Sequence, residues 1–243
     1  MKFTSNSVLT LIALIATTVI VVSLGCRNDS VPWQEYAVQN IALISGLDSK
    51  SLSYDGNTIN VDHRKLNNTK ISFGNGVLFN DFIVFCKHQA NKNMVALFFN
   101  EKGQIINKCD IALGNQELNN ESSVDKILYY PISQIKIIVN KNNEKIDLIN
   151  NGKYLTISYR FAPINHTSDR TTFKIEVKHL TTEKIINSGN EYSSPDIGFQ
   201  EGDSGSALYN PNGIVIGIIS SKCESITLFP YSKNQEFKFL KIR

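Results

Sequence analysis

The chain has 243 residues, of which 42% are hydrophobic and 19% are charged, and its formal net charge at pH 7 is +3. This length and composition allow a buried core in one large domain or two small ones. The charge is too small to indicate nucleic-acid binding, and the sequence has no basic cluster, so we expect no nucleic-acid partner.

Residues 1–26 have the pattern of a segment that directs the chain to or across a membrane. Lys2 is followed by no charged residue until Arg27, and Val8–Leu24 is a nearly continuous apolar run. The pattern predicts either a secretory signal peptide or an uncleaved membrane anchor through residues 8–24. Ser-Leu-Gly-Cys at 23–26 resembles the end of a bacterial lipoprotein signal, which implies a lipid on Cys26. Each alternative leaves the rest of the chain outside the cytoplasm.

Residues 27–57 are more polar, and we interpret them as a lead-in to the folded domain. Within them, the stretch Trp33–Ile44 (WQEYAVQNIALI) has the spacing of a short amphipathic helix.

From residue 58 onward the sequence predicts an all-β protein. Short β-branched and aromatic runs, such as GVLFN, FIVFC, MVALFF and IVIGII, alternate with turn signals at Asn100, Asn140 and Asn210. No long helical pattern lies between the runs, so the alternation of strands and helices that builds a Rossmann or α/β-hydrolase sheet is absent.

The cysteines and histidines give no metal-binding spacing. Apart from Cys26, the chain has Cys86, Cys109 and Cys223, and it contains neither Cys-x-x-Cys nor His-Glu-x-x-His. We therefore expect no metal and no cofactor.

Gly-Asp-Ser-Gly at 202–205 is the motif that carries chemistry. All of its residue types are common in turns, but Ser204 on such a tight loop is also placed as a nucleophile would be. An α/β-hydrolase elbow needs Gly-x-Ser-x-Gly followed by a helix. Here residue 206 is serine, and a strand pattern follows it.

The stretch Gly202–Ser220 resembles the nucleophile loop and the following hairpin of chymotrypsin-like serine proteases, especially their compact bacterial and viral branches. The resemblance covers about Ile71–Ser220. It implies two six-stranded antiparallel β-barrels with the active site between them. We expect these barrels at residues 58–145 and 146–243, the second with a C-terminal tail.

The resemblance also implies roles for the residues of this loop. Ser204 is the expected nucleophile, and the backbone N–H groups of Gly202 and Ser204 are the expected oxyanion hole. Substrate contacts are expected at Gly198, Glu201, Ile219 and Ser220. Gly198 occupies the position at the base of the specificity pocket, where a trypsin-like enzyme has aspartate. We therefore expect cleavage after apolar or small residues.

A serine nucleophile needs a base, for which the chain offers four histidines. His88 follows the apolar run FIVFC, and Cys-Lys-His at 86–88 resembles the family's pattern at the end of the third strand of the first barrel. We predict His88 as the base and structural or surface roles for the other three histidines, His63, His166 and His179.

The third catalytic residue must orient the imidazole and stabilise its charged form. Cys-Asp-Ile-Ala-Leu at 109–113 resembles the family's strand that opens with this aspartate, so we predict Asp110. Its rival is Asp147, which lies too close to the next strand pattern to leave room for a linker between barrels. If Asp110 is the acid, Cys86 and Cys109 lie on neighbouring strands, as a disulfide, a buried pair or separate core residues, with Cys223 free.

The sequence thus predicts an extracytoplasmic serine endopeptidase that cleaves peptides through an acyl-enzyme. The alternative is a protease-fold binding protein at the cell surface that has lost activity, since fold alone does not fix function.

Overall fold

The computed structural model describes residues 38–66, 70–114, 126–134, 153–183, 185–189, 191–195, 198–223 and 236–242. Strands account for 62% of the structure and helices for 7%, which confirms the predicted all-β class. In chain order the strands are β1 (Asn40–Ser45), β2 (Leu52–Asp55), β3 (Thr58–Asp62), β4 (Ser72–Phe79), β5 (Phe82–Cys86), β6 (Asn93–Phe99), β7 (Ile105–Ala112), β8 (Ile127–Pro131), β9 (Tyr154–His166), β10 (Arg170–Thr182), β11 (Ile186–Ser188), β12 (Glu191–Pro195), β13 (Ala207–Tyr209), β14 (Val215–Cys223) and β15 (Glu236–Lys241). Short 3₁₀ helices occupy Ser49–Ser51, His63–Lys65, Lys87–Gln89 and Ile132–Gln134.

The strands form two antiparallel sheets. The first has six strands in the order β7-β6-β1-β4-β5-β8, and the second has nine in the order β11-β12-β15-β14-β13-β9-β10-β3-β2. The first sheet has the six strands expected of a barrel, but it includes β1, which lies before the predicted start at residue 58. The second sheet has nine strands instead of six, in part because the hairpin of β2 and β3 extends it beside β10, where Asp62 lies opposite Arg170.

The main core lies between the two sheets. It joins Ile44 and Leu97 of the first sheet to Ile59, Tyr159 and other buried residues of the second. A second cluster, which includes Ile41, Phe85 and Met94, lies on the other side of the first sheet. Strands β1 and β6 contribute to both clusters, so they are buried on both faces, which explains why their sequences are continuous apolar runs.

The same double burial corrects the prediction for the lead-in. Residues 40–44 belong to β1, which lies between β4 and β6, and not to an amphipathic helix. A short apolar run that is buried on both sides cannot be distinguished from a helix by its spacing. The folded domain therefore includes β1 and β2, which precede the boundary predicted at residue 58. The hairpin of β2 and β3 belongs to the second sheet.

The predicted signal, anchor and lipid site at residues 1–26 lie outside the described residues. Within the part of the chain that the structure describes, no helix is long and apolar enough to cross a membrane.

Candidate active site

The loop that carries Ser204 has a backbone that only glycine tolerates at two positions. Gly202 has a φ of +96° and Gly205 a φ of +82°, in the left-handed region that other residues rarely adopt. A Cβ on Gly205 would also lie 1.8 Å from the Asn75 carbonyl oxygen. The glycines on both sides of Asp203-Ser204 are therefore required by the shape of the loop.

A buried ion pair between Arg160 and Asp203 holds the Ser204 loop in place. The Asp203 carboxylate accepts from Arg160 Nε at 2.9 Å and from Arg160 Nη2 at 2.6 Å. It also accepts from the backbone N–H of Gln200 at 2.7 Å. Arg160 Nη2 in addition donates to the Gly198 carbonyl at 2.9 Å. The Asp203 side chain is only 1% exposed, so this charge depends on Arg160 for compensation.

The carbonyl of Ser204 points into the protein and is held by two donors. The backbone N–H of Asn75 donates to it at 2.8 Å, and the side-chain Nε2 of Gln89 donates to it at 2.7 Å. Asn75 also donates through Nδ2 to the Gly202 carbonyl at 2.8 Å. Among the described residues, the N–H groups of Gly202 and Ser204 have no hydrogen-bond acceptor. Two such amides on a rigid loop can stabilise an oxyanion.

His88 lies in the 3₁₀ turn Lys87–Gln89, which begins where β5 ends, and its side chain is exposed. Two neighbours of His88 contact the nucleophile loop or its support. Gln89 donates to the Ser204 carbonyl, and the Cys86 thiol donates to the Ile219 carbonyl at 3.0 Å. That same carbonyl accepts from the Gly205 amide at 2.7 Å. The structure therefore brings the predicted base and nucleophile segments together from opposite sheets.

The carboxylate of Asp110 is bound elsewhere. Its two oxygens accept from the backbone N–H of Ser49 at 2.6 Å and from the Ser49 hydroxyl at 2.7 Å. Asp110 lies in β7, which pairs with β6, the strand that follows the His88 turn, and it stands opposite Val95. The described partners of β5 are β4 and β8. The catalytic role of Asp110 stays a prediction, and Asp147 lies outside the described residues.

The other histidines have the structural or surface positions that were predicted. His63 Nε2 and His166 Nδ1 both share a hydrogen bond with the Thr171 hydroxyl, at 2.6 and 2.7 Å. Their rings meet edge to face with centroids 5.7 Å apart. His179 lies within β10, opposite Ile157.

The predicted substrate-binding residues fall into two groups. Gly198 and Glu201 are exposed beside the nucleophile loop. Ile219 and Ser220 are only 3% and 4% exposed, and the Ile219 side chain packs with Phe199 in the core of the second sheet. The side chain of Ile219 therefore supports the loop and is not open to a substrate.

Neither Cys86 nor Cys109 forms a disulfide. The expectation that they lie on neighbouring strands is wrong, because β5 and β7 are not neighbours in the sheet. Cys86 is fully buried. Burial raises the pKa of the Cys109 thiol to about 12, with a smaller contribution from the nearby charge of Asp110. These thiols are core residues, as one of the predicted alternatives had it. The side chain of Cys223 lies outside the described part of the chain.

No group of metal-ligating side chains occurs among the residues that the structure describes. Three residues that hold the site together were not predicted: Asn75, Gln89 and Arg160. Asn75 lies between two glycines, and Gln89 directly follows the predicted base, so both had a local signal. Arg160 lies within the strand β9 and had no such neighbour in the sequence.

No protein-family model matches the chain, and no curated protein matches it in sequence. Similar solved structures include a serine endoprotease from Yersinia pestis, which is 16% identical over 86% of this chain with a TM-score of 0.43. An HtrA-type protease, AlgW, with a decapeptide is 13% identical over 86% of this chain, with a TM-score of 0.43. An inactivated protease paralogue from the scabies mite is 10% identical over 85% of this chain, with a TM-score of 0.39.

The chain spans 61% and 62% of the first two structures and 92% of the third. At these identities and TM-scores, the roles of individual residues rest on the geometry of the site itself.

Proposed function

We propose that this protein is a serine endopeptidase with Ser204 as its nucleophile and His88 as its base. The observation that supports this most directly is the attachment of the His88 turn to the Ser204 loop. Gln89 and Cys86, which lie beside and two residues before His88, donate hydrogen bonds to the Ser204 and Ile219 carbonyls. A nucleophile and its base on opposite sheets need such a connection to keep a fixed separation.

In the proposed reaction, the Ser204 hydroxyl attacks the peptide carbonyl while His88 takes its proton. The N–H groups of Gly202 and Ser204 stabilise the negative oxygen of the tetrahedral intermediate. A single donor of this kind contributes about 10² to 10³ in kcat. His88 then gives the proton to the leaving amine, and water releases the acyl group from Ser204 by the reverse sequence.

We keep Asp110 as the proposed group that orients His88. It lies on β7, which pairs with β6, the strand that follows the His88 turn. Its carboxylate accepts from the backbone N–H and the hydroxyl of Ser49, so the role requires that it also reach the His88 imidazole. The rival, Asp147, lies outside the described residues.

We propose peptides or proteins as substrates, with an apolar or small residue before the cleaved bond. We also propose that the domain acts outside the cytoplasm, attached to the membrane through residues 8–24 or a lipid on Cys26. Protease accessibility of the domain in intact cells, compared with lysed cells, tests this location. Protection from added protease until lysis would contradict a domain exposed at the cell surface.

A fluorophosphonate probe tests the proposed nucleophile, because it reacts with activated serines. Wild-type protein should be labelled, and Ser204→Ala should not be. Ser53→Ala is the matched control, since Ser53 is an exposed serine on β2 and should not affect labelling. The site of the adduct, read by peptide mass spectrometry, must be Ser204. An adduct on another serine would contradict the proposal.

A second candidate function is binding without catalysis on the same scaffold. The contacts of Asp110 with Ser49 favour it, because they occupy the carboxylate that the sequence offered as the third catalytic residue. Absence of labelling in pure, folded wild-type protein, together with tight binding of intact peptides, would support this candidate against the enzyme.

A further inference from the structure

Gln89 connects the turn that carries His88 to the backbone of Ser204. Its Nε2 donates to the Ser204 carbonyl at 2.7 Å, while its Oε1 accepts from the Cys86 amide at 3.0 Å. The Gln89 carbonyl in turn accepts from the Ser45 hydroxyl at 2.6 Å, at the end of β1. Gln89 is only 8% exposed. Because both ends of this buried amide have partners, its orientation is fixed.

The space that the Gln89 amide occupies depends on the glycine at position 74. A Cβ on Gly74 would lie 1.9 Å from Gln89 Nε2 and 2.9 Å from Gln89 Cδ, and its three nearest atoms all belong to Gln89. Gly74 lies in β4 and is not among the glycines with positive φ. Its backbone therefore suits any residue, and the need for glycine comes from the passage of the Gln89 side chain.

The contact with Gln89 acts on the peptide group that follows the nucleophile. The Ser204 carbonyl belongs to the same peptide plane as the Gly205 amide, which donates to the Ile219 carbonyl at 2.7 Å. The backbone N–H of Asn75 also donates to the Ser204 carbonyl, at 2.8 Å. Asn75 belongs to β4, so of these two hydrogen bonds it is the one from Gln89 that connects this peptide plane to the turn that carries His88.

We infer that Gln89 is a positioning residue for the proposed reaction: it sets the separation between the His88 imidazole and the Ser204 hydroxyl. This inference rests on the proposed function. A misplacement of reacting groups by about 1 Å can reduce the rate about 10²-fold. Loss of the Gln89 bond should therefore lower kcat without changing KM, because Gln89 is buried behind the loop and does not face the substrate.

Three variants test this inference. Gln89→Met keeps the length of the side chain but removes the donor, and Gln89→Ala removes the amide altogether. Gly74→Ala keeps glutamine at position 89 but places a methyl group where the side-chain amide of Gln89 lies. Each should lower kcat about 10²-fold. In Gln89→Ala/Gly74→Ala the added methyl group has no amide to displace, so kcat should equal that of Gln89→Ala and not fall by a further factor.

Amide hydrogen exchange provides a readout that does not need activity. In all three single variants, exchange should become faster in peptides covering residues 199–209, while peptides from the β9–β10 hairpin should exchange as in wild type. Unchanged exchange in residues 199–209 would overturn the inference whether or not the protein is an enzyme. A rise in KM at constant kcat would also overturn it, as would a full additional loss in the double variant.

The inference and the proposed function fail in different ways. If wild-type protein is not labelled by the fluorophosphonate probe at Ser204, the proposed function fails, and no reaction remains for Gln89 to position. If wild type is labelled and the Gln89 variants keep wild-type kcat, the proposed function stands and the positioning role of Gln89 is excluded.

Discussion

Replacing Arg160 by methionine tests whether the buried ion pair holds the nucleophile loop. The Asp203 carboxylate receives three hydrogen bonds, two from Arg160 and one from the Gln200 amide. Methionine retains much of the apolar length of the arginine side chain. It removes the positive charge and two of the three donors, and it also removes the donor to the Gly198 carbonyl.

The expected cost is large because Asp203 is only 1% exposed. Removing one partner of a buried ion pair leaves an uncompensated charge, which costs about 3–5 kcal/mol. For a protein of this size, each kcal/mol lowers Tm by about 2–4 °C. We therefore expect Arg160→Met to unfold roughly 6–20 °C below wild type. The proposed peptidase activity should fall too, since the loop loses its support at both Asp203 and Gly198.

The chain offers a matched control in Arg64. Its Nε and Nη2 contact the two oxygens of Asp62 at 3.0 Å each, which is the same forked geometry as in Arg160 and Asp203. The Arg64 side chain is, however, 63% exposed, against 18% for Arg160. Exposed ion pairs contribute little to stability because water already solvates both charges. Arg64→Met should therefore unfold close to wild type.

Thermal and urea unfolding, followed by circular dichroism, compare the three proteins directly. The double variant Arg160→Met/Asp203→Asn should recover part of the loss, because a neutral amide leaves no buried charge. Equal unfolding midpoints for Arg160→Met and Arg64→Met would refute the reasoning. So would a double variant that is less stable than Arg160→Met.

The remaining predictions concern the other groups around the site. His88→Ala should abolish fluorophosphonate labelling and His63→Ala should leave it unchanged; the reverse would move the base to His63. If the Asp110 carboxylate orients His88, Asp110→Asn should lose about 10⁴-fold in kcat; activity close to wild type would leave Asp110 only its contacts with Ser49. In native protein at pH 8, iodoacetamide should leave both Cys109 and Cys86 unmodified in peptide maps. Cys86 is fully buried, and the Cys109 thiol, with a pKa of about 12, is ionised to a fraction on the order of 10⁻⁴. A peptide that joins the two cysteines through a disulfide would contradict the free thiols.

Local sequence determined much of this protein. Alternating and continuous apolar runs between turn residues predicted the strands that carry the site, such as β4 and β5. Gly-Asp-Ser-Gly predicted a tight loop, because glycine is the residue that tolerates the left-handed backbone at positions 202 and 205. The apolar run FIVFC predicted the strand after which His88 lies, which is β5. All these features depend on residues within a few positions of one another.

Tertiary structure decided which distant segments meet. Cys86 and Cys109 were expected on neighbouring strands, but β5 pairs with β8 and β7 pairs with β6. The Asp110 carboxylate is bound by Ser49, which is 61 positions away in the sequence. Strand pairing is set by burial and by cross-strand contacts over the whole sheet, which no local pattern contains. The same holds for Arg160 and Asp203, and for Gln89 and Ser204, which are 115 positions apart. Each of these polar groups has a partner that is distant in the sequence, and burial makes the pairing necessary because an unpaired polar group away from water is costly.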